Sequence, residues 1–199
     1  MEKRTFDGGK SAETLAKHLR RGNSYVRRGR VHRAIKQFQI VLDIDPENLE
    51  ALNNKGFAHM ELGEIADAQA CISRALNREN GSVEVWNNMG LIFTALGIYD
   101  NGVSCFEKAM EVDASHESVL LNLGVCYMMQ KKLDVALSMF KKGEMRGGDT
   151  KAFVVMRAVV LCEMRHLRDA KLLLKDVVKE TPKFSFAWLS LAHVLRQMG

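Results

Sequence analysis

The sequence repeats itself with a period of 34 residues. The clearest sign is one small residue in each period, at Gly22, Gly56, Gly90, Gly124, Ala158 and Ala192. A fixed period of 34 suits a pair of helices that stacks on the next pair. The spacing therefore predicts an all-helical array with a binding surface, and it excludes most enzyme folds.

Other columns follow the same period. A bulky residue lies three places after the small one, at Tyr25, His59, Phe93, Tyr127, Leu161 and Leu195. A second large column occupies the next predicted helix, at Phe38, Ile72, Phe106, Phe140 and Leu174. Small residues in the first helix of a pair let the second helix approach closely, and the bulky residues fill the space beside them. The columns therefore predict which faces of each pair are buried.

The third copy shows the full pattern, with Trp86, Met89, Gly90, Phe93, Gly102, Phe106 and Ala109. This pattern resembles the tetratricopeptide repeat, and the resemblance covers more than nine-tenths of the chain. It implies an α-solenoid, wound as a right-handed superhelix, of five helix pairs and a C-terminal helix. The predicted domain spans 11–199 after a flexible tail at 1–10, with a helix from about Ser11. Its copies are 15–48, 49–82, 83–116, 117–150 and 151–184, followed by a partial copy or capping helix at 185–199.

Glycine and proline mark the predicted ends of helices. First helices are expected to stop near Gly29, Gly63 and Gly97, because glycine relieves strain at a helix C-terminus. Asp45-Pro46 is expected to end the second helix of the first copy. Gly143 and Gly147-Gly148 predict a hinge between the fourth and fifth copies. In the last helix, Trp188, Leu191 and Leu195 are expected to cover the fifth copy as a cap.

Chemical motifs give no support for catalysis. The glycines follow the repeat and form no phosphate-binding loop, and the four cysteines and six histidines lack zinc spacing. We therefore expect no enzyme activity, no cofactor and no metal. His59 is expected to be a core residue with one hydrogen bond. The first ten residues do not resemble a signal peptide, and the longest apolar stretch contains charges. These features predict a cytoplasmic protein without a transmembrane segment, which a partner could still hold on a membrane.

Asparagine recurs where first helices should face a groove. Asn54, Asn88 and Asn122 are spaced by 34 residues, with Asn53 and Asn87 beside the first two. An amide side chain has a donor and an acceptor, so a ladder of them can hold a peptide backbone. This arrangement resembles the asparagine ladder of O-GlcNAc transferase. The alternative is that these side chains cap or tie adjacent helices.

The next inward positions become apolar along the chain. From the third to the fifth copy they are rich in methionine, with the candidate ligand contacts Leu91, Val125, Met128, Met129, Val155 and Met156. Exposed apolar patches often mark binding sites, and methionine suits a surface that accepts several sequences or an amphipathic helix. The alternative is a tighter curvature, in which these side chains pack between copies or under the last helix.

Charge is segregated along the sequence. Residues 1–40 have a net charge of +8, residues 41–120 of −10, and residues 121–199 of +7. The first basic cluster comprises Arg20, Arg21, Arg27, Arg28, Arg30 and Arg33. Three explanations stay open: a solvated face, docking on an acidic protein or anionic membrane surface, and head-to-tail self-association. Nucleic acid is disfavoured because the cluster lacks interleaved aromatic residues.

Together these patterns predict a non-catalytic adaptor or scaffold that captures a peptide or helix of a partner protein in its concave groove. The alternative function is a self-assembling scaffold or coat that uses the charged segments. Bacterial organelle scaffolds and secretion or pilus assembly factors of the same repeat class are analogies for that alternative.

Overall fold

The structure of this chain is a computed structural model that describes residues 8–77, 81–146 and 150–199. Within these ranges every regular element is an α-helix. The helices are α1 (Gly8–Arg27), α2 (Val31–Ile44), α3 (Leu49–Glu61), α4 (Ile65–Leu76), α5 (Val83–Ala95), α6 (Tyr99–Val112), α7 (Glu117–Met129), α8 (Leu133–Met145), α9 (Thr150–Glu163), α10 (Leu167–Glu180) and α11 (Ser185–Met198). Helices α3, α5, α7 and α11 begin at the first residue of a predicted copy, so the 34-residue period is also the period of the structure.

The chain divides into two compact units, one up to Ala95 and one over Leu96–Gly199. In the first unit each helix from α1 to α5 packs on the next, and α1, α3 and α5 also contact one another in turn. In the second unit each helix from α6 to α11 packs on the next, and α7, α9 and α11 form a corresponding row. Each unit therefore has the helix-pair stacking of an α-solenoid, as the sequence predicts.

The column of small residues is explained by close helix contact within a pair. A Cβ atom added to Gly56 would lie 2.7 Å from the side chain of Ile72. One added to Gly124 would lie 2.5 Å from the ring of Phe140. In the fifth copy, where Ala158 takes this position, both Ala158 and the Leu174 of its second helix are fully buried in one cluster. We call this position the socket of a pair.

First helices end in turns that contain a left-handed residue. The predicted stops Gly29, Gly63 and Gly97 have φ of +65°, +74° and +75°. The equivalent positions of the next two copies are Lys131 and Arg165, with φ of 61° and 66°. The prediction for the glycines is confirmed, and the turn geometry continues into copies that have no glycine at this position.

Other predicted boundaries differ from the structure. Helix α1 begins at Gly8, within the segment predicted as a tail, whereas residues 1–7 lie outside the described residues. The predicted hinge at Gly147-Gly148 also lies outside them. Gly143 is buried in α8, where a Cβ atom would collide with the ring of Phe153. Gly143 is thus a close-packing position inside a helix.

Helix α11 buries a different face from the predicted cap. Its buried residues are Ala187, Ser190, Leu191 and Val194. Trp188 is 49% exposed and Leu195 is 42% exposed. At about 100° per residue these two side chains lie roughly a third of a turn from the centre of the buried face. The cap prediction was therefore right for Leu191 and wrong for Trp188 and Leu195.

Candidate functional site

The asparagines of the first unit bond to one another between successive first helices. The Nδ2 of Asn54 on α3 donates to the Oδ1 of Asn23 on α1 over 2.9 Å. The Nδ2 of Asn88 on α5 donates to the Oδ1 of Asn53 on α3 over 2.8 Å. Asn88 is only 6% exposed, so its bond replaces water that the amide has lost. These contacts favour the alternative in which asparagines tie adjacent helices.

A small cleft lies beside these amides. It has a volume of about 340 Å³, and its walls include Asn53, Asn54, Glu50 and Glu84. The Oδ1 of Asn53 accepts the bond from Asn88, and the Oε1 of Glu50 accepts a bond from the Nδ2 of Asn23 over 3.3 Å. The two other predicted ladder residues, Asn87 and Asn122, are half-buried, and each has an interaction partner within the protein. Apolar residues also line the cleft, among them Leu49, Ala75 and Val85.

Most of the predicted methionine-rich contacts pack against the protein interior. Val125, Met128 and Met156 are partly buried against the core cluster that contains Phe140. Leu91 on α5 is half-buried in the first unit. Among the predicted apolar contacts, Met129 has the largest exposure, at 48%.

Val155 is corrected by the structure. Its side chain is fully buried and packs in the cluster that contains Ala158 and Leu174. The sequence prediction put Val155 on the groove surface together with Met156. In the structure the two side chains point in different directions from α9, and Val155 packs against α10 and α11. Val155 is thus a core residue and offers no surface to a ligand.

An apolar concavity of the second unit lies between α9 and α11. Its volume is about 520 Å³. We call it the C-terminal groove, and its walls include Val159, Cys162, Phe186, Leu189 and His193. Phe186 is 43% exposed and Leu189 is 69% exposed, so apolar surface faces solvent here. Such exposed apolar surface with a few polar groups at its edge is typical of a ligand site.

Polar groups border the C-terminal groove. Glu163 and Arg196 lie at its edge, and a guanidinium nitrogen of Arg196 lies 3.2 Å from Nδ1 of His193. Burial raises the pKa of the Cys162 thiol, and the nearby Glu163 carboxylate raises it further. Cys162 is therefore an uncharged, apolar part of the wall at neutral pH.

Phe186 and Leu189 were not predicted as groove residues, although their spacing from His193 places them on the same face of α11. His193 continues the predicted inward column from Val159 by one period, and Phe186 and Leu189 lie on the same helix face as His193. The sequence prediction assigned Trp188, Leu191 and Leu195 of the last helix to a cap, and it left open whether the apolar Phe186 packs on that cap or contacts a partner.

The predicted basic cluster is a surface feature of the first helix pair. All six arginines are exposed, and none of them forms an ion pair with a residue in the ranges that the structure describes. They are Arg20, Arg21, Arg27, Arg28, Arg30 and Arg33. Guanidinium groups without partners are available to carboxylates or other planar anions.

Two further groups of reactive side chains have structural explanations. His59 lies in the last turn of α3, where its Nδ1 is 2.6 Å from Oε2 of Glu64, with Asp67 close by. The side chain of His59 is 13% exposed, consistent with the predicted core histidine that has one hydrogen bond. Burial raises the pKa of the Cys71 and Cys105 thiols, which keeps them protonated and weakly nucleophilic.

Family comparisons agree with the repeat pattern. A sequence model described as "TPR repeat" matches residues 22–63. A second, described as "Tetratricopeptide repeat", matches residues 49–81 and 83–116, and a third with that description matches residues 118–142. Together these matches cover more than half of the chain. A search of curated proteins finds no match.

Several solved structures are similar in fold. A thermophilic TPR protein from Thermus thermophilus is 20% identical, with a TM-score of 0.81 over 91% of this chain and 98% of its own. The pilF protein of Pseudomonas aeruginosa is 18% identical, with a TM-score of 0.73 over 94% and 93%. YrrB, described as a TPR protein with an unusual peptide-binding site, is 16% identical, with a TM-score of 0.63 over 87% and 89%. At these identities the likeness concerns the fold alone.

None of the described helices has the length and apolar character needed to cross a bilayer.

Proposed function

Because this chain belongs to the tetratricopeptide repeat family, we propose that it is a non-catalytic scaffold that binds an apolar peptide or helix of a partner protein in the C-terminal groove. Proteins of this family and fold are generally non-catalytic adaptors. The observation that carries the proposal is the solvent-facing apolar wall formed by Phe186 and Leu189 across from Val159.

The character of the groove defines its ligand. Its apolar walls suit leucine, methionine or aromatic side chains, which gain free energy when they leave water. Glu163 and Arg196 at the edge supply one charge of each sign and can orient a helix or an extended segment. The described peptide site of YrrB makes a peptide ligand a reasonable class for a protein of this fold.

The proposal changes the role of the residues predicted from sequence. Asn54 and Asn88, together with Asn53, hold the first helices in register, whereas ligand affinity comes from the C-terminal groove. Met129 extends the exposed apolar surface of the second unit, although it lies outside the groove walls. The four buried free thiols suit a reducing compartment, and we therefore propose the cytoplasm as its location.

The groove is tested by selecting binders from a random peptide library displayed on phage. Wild-type protein is the bait, and the double variant F186S/L189S is the counter-selection. We expect peptides with two or three apolar anchors that bind wild type and lose most of their affinity for the variant. Circular dichroism verifies that the variant stays helical. Peptides that bind both proteins equally, or no enriched peptides, would rule the groove out as the ligand site.

A second candidate function is electrostatic self-association. The unpaired guanidinium groups of the basic cluster could contact exposed carboxylates such as Glu61, Glu64 and Asp67 of another copy. Such a head-to-tail contact need not close, so it can build an extended assembly. The same cluster could instead dock on a different acidic protein. The oligomeric state of the isolated protein distinguishes these two functions, because only self-association gives an oligomer.

Light scattering after size exclusion, at low and high salt, tests self-association. Exposed charges are screened over about 10 Å at 0.1 M salt, so an electrostatic assembly should dissociate as salt rises. The variant R27E/R28E/R30E should be monomeric at low salt. The matched control K175E/K179E/K183E has the same change in net charge on α10 and the turn before α11, and it should still assemble. A monomeric wild type at low salt would eliminate this function.

A further inference from the structure

A histidine and two carboxylates lie close together at the turn between α3 and α4 in the first unit. His59 lies in the last turn of α3, Glu64 immediately precedes α4, and Asp67 lies in the first turn of α4. One ligand atom from each side chain, an imidazole nitrogen and two carboxylate oxygens, lies within 4.8 Å of the other two. These three side chains, which we call the α3–α4 triad, are close enough together to reach one metal ion.

The backbone of the turn holds the α3–α4 triad in place. The N–H of Glu64 donates to the carbonyl oxygen of His59 over 2.9 Å, and the left-handed Gly63 lies within the turn that this bond closes. Asp67 follows Glu64 by three residues, so the two carboxylates lie on the same side of the start of α4. The side chain of His59 is 13% exposed, whereas both carboxylates are exposed. The nitrogen is therefore shielded by protein and the oxygens are open to solvent.

Helix stacking does not require the α3–α4 triad. The other copies have an aromatic or aliphatic residue at the position of His59. At the three equivalent positions the first copy has Tyr25, Arg30 and Arg33, and the third copy has Phe93, Ile98 and Asn101. These copies form the same helix pairs without a histidine or a carboxylate at these positions. The triad is therefore a chemical feature of the second copy that the fold itself leaves unexplained.

The two carboxylates have no lysine or arginine as an ion-pair partner in the ranges that the structure describes. Asp67 makes no hydrogen bond or ion pair there, and the carboxylate of Glu64 contacts His59 alone. Lys55 lies one turn before His59 on α3, but its ammonium group donates to Oε1 of Gln39 over 2.6 Å. The triad therefore combines uncompensated negative charge with a nitrogen ligand, and that nitrogen distinguishes it from a surface cluster of acidic residues.

We propose that the α3–α4 triad binds a divalent transition-metal ion, with zinc as the best match. Zinc binds imidazole nitrogen and carboxylate oxygen at about 2.0–2.2 Å, which places tetrahedral ligand atoms about 3.3 Å apart. Nδ1 of His59 and Oε2 of Glu64, now 2.6 Å apart, have to separate by less than about 1 Å to reach that geometry. Asp67 supplies the third ligand by a rotation of its exposed side chain. Three protein ligands leave the remaining position open to solvent.

The chemistry of the triad also selects against other common cations. Calcium and magnesium take oxygen ligands, whereas imidazole suits zinc and its transition-metal neighbours. The sequence prediction of no metal considered the spacing of cysteines and histidines, but two of the three ligands here are carboxylates. The triad lies in the first unit and the C-terminal groove in the second, so zinc binding and peptide binding can fail separately.

Two substitutions that the third copy already contains test the site. H59F introduces the residue found at Phe93, and D67N introduces the residue found at Asn101, so both suit the fold of a helix pair. Zinc chloride is titrated calorimetrically into the full chain after a chelator has removed any bound metal. We expect one saturable site in wild type that H59F and D67N each weaken by about tenfold or more.

A histidine–carboxylate pair elsewhere in the chain provides the matched control. His166 lies 3.9 Å from Asp169 at the start of α10, and both side chains are exposed. H166A should therefore leave zinc affinity unchanged. Thermal unfolding gives a second measurement: zinc at about 100 times its Kd should raise the Tm of wild type by about 5–10 °C, and magnesium at the same concentration should not.

Asp67 separates a metal site from a histidine that is only hydrogen-bonded to Glu64. A structural pair of His59 and Glu64 does not involve Asp67, so D67N that binds zinc as tightly as wild type would overturn the proposal. The absence of saturable binding up to about 1 mM zinc would also overturn it. Equal Tm shifts with zinc and magnesium, or equal loss of affinity in H166A and H59F, would show unspecific binding to surface charges and reject the site.

Discussion

A left-handed residue that is not glycine should limit the stability of the turn between α7 and α8. Lys131 has φ of 61°, and its N–H donates to the carbonyl of Met128 over 2.9 Å. The glycine of an earlier copy, Gly63, makes the equivalent bond to Met60 over the same distance. The turn is therefore the same in both copies, but at Lys131 a Cβ atom occupies a conformation that costs about 1 kcal/mol.

The comparison of K131G with K131A isolates this backbone cost. Both variants remove the exposed ion pair of Lys131 Nζ with Glu163 Oε2, at 3.1 Å, which contributes at most about 1 kcal/mol. Only K131G also relieves the left-handed strain. K131G should therefore be more stable than K131A by up to about 1 kcal/mol, because the greater flexibility of glycine in the unfolded chain offsets part of the relieved strain. The matched substitution G63A should lower stability by a similar amount.

Urea denaturation followed by circular dichroism at 222 nm measures these differences, and thermal unfolding should show a shift of about 2–4 °C for each kcal/mol in a chain of this size. The R165G and R165A variants repeat the experiment in the next copy, where φ is 66°. If K131A and K131G are equally stable while G63A is destabilised, the turn at Lys131 carries no left-handed strain, although its backbone has the same conformation as the turn at Gly63.

Three further predictions concern the helix contacts and a buried carboxyl group. N88A should lower the free energy of unfolding by about 1–2 kcal/mol, because it leaves Asn53 Oδ1 without its donor, yet peptides selected on the C-terminal groove should bind with unchanged affinity. G124A should lower the free energy of unfolding by roughly 1–3 kcal/mol in urea melts, because the added methyl group would lie 2.5 Å from the ring of Phe140. The higher helix propensity of alanine would raise stability only if that ring can move aside. Burial raises the pKa of Glu144 above its ordinary 4.5, with the adjacent Arg157 lowering it less. Since the folded state then holds the proton more tightly than the unfolded chain, stability should fall as pH rises from about 4.5 through the folded pKa, and E144Q should remove that slope in a series of melts.

Much of the fold could be predicted from periodicity because the same contacts recur in each copy. The column of small residues, one in each 34-residue copy, identified the sockets. Gly29, Gly63 and Gly97 identified where the first helices end. The period also reaches Lys131 and Arg165, but residue preference alone argues against a left-handed turn there. The structure nevertheless has the same turn there, with hydrogen bonds from the backbone N–H groups of Lys131 and Lys132 to the carbonyl oxygens of Met128 and Tyr127.

The candidate site was harder to predict because facing direction depends on helix rotation. Val155 and Met156 are adjacent in sequence, yet one is fully buried and the other is only half-buried. The asparagine column was correctly identified as recurrent, but an amide can bond a ligand or another amide equally well. Only the distances between Asn54 and Asn23, and between Asn88 and Asn53, favour the second use.

Unequal sockets also bear on how a repetitive chain reaches one folded state. Copies that are too alike can exchange helices while they fold, so that the second helix of one copy docks on the first helix of a neighbour. Within each unit the neighbouring pairs differ: Phe38 and Ile72 fill the sockets of the first, and Phe140 and Leu174 those of the second. A ring forced over Ala158, or a leucine set over Gly124, would leave a collision or a void that costs about 1–3 kcal/mol. Differences in side-chain volume between neighbouring copies therefore make exchanged helix pairs less stable than the native pairs, although backbone geometry alone would permit the exchange.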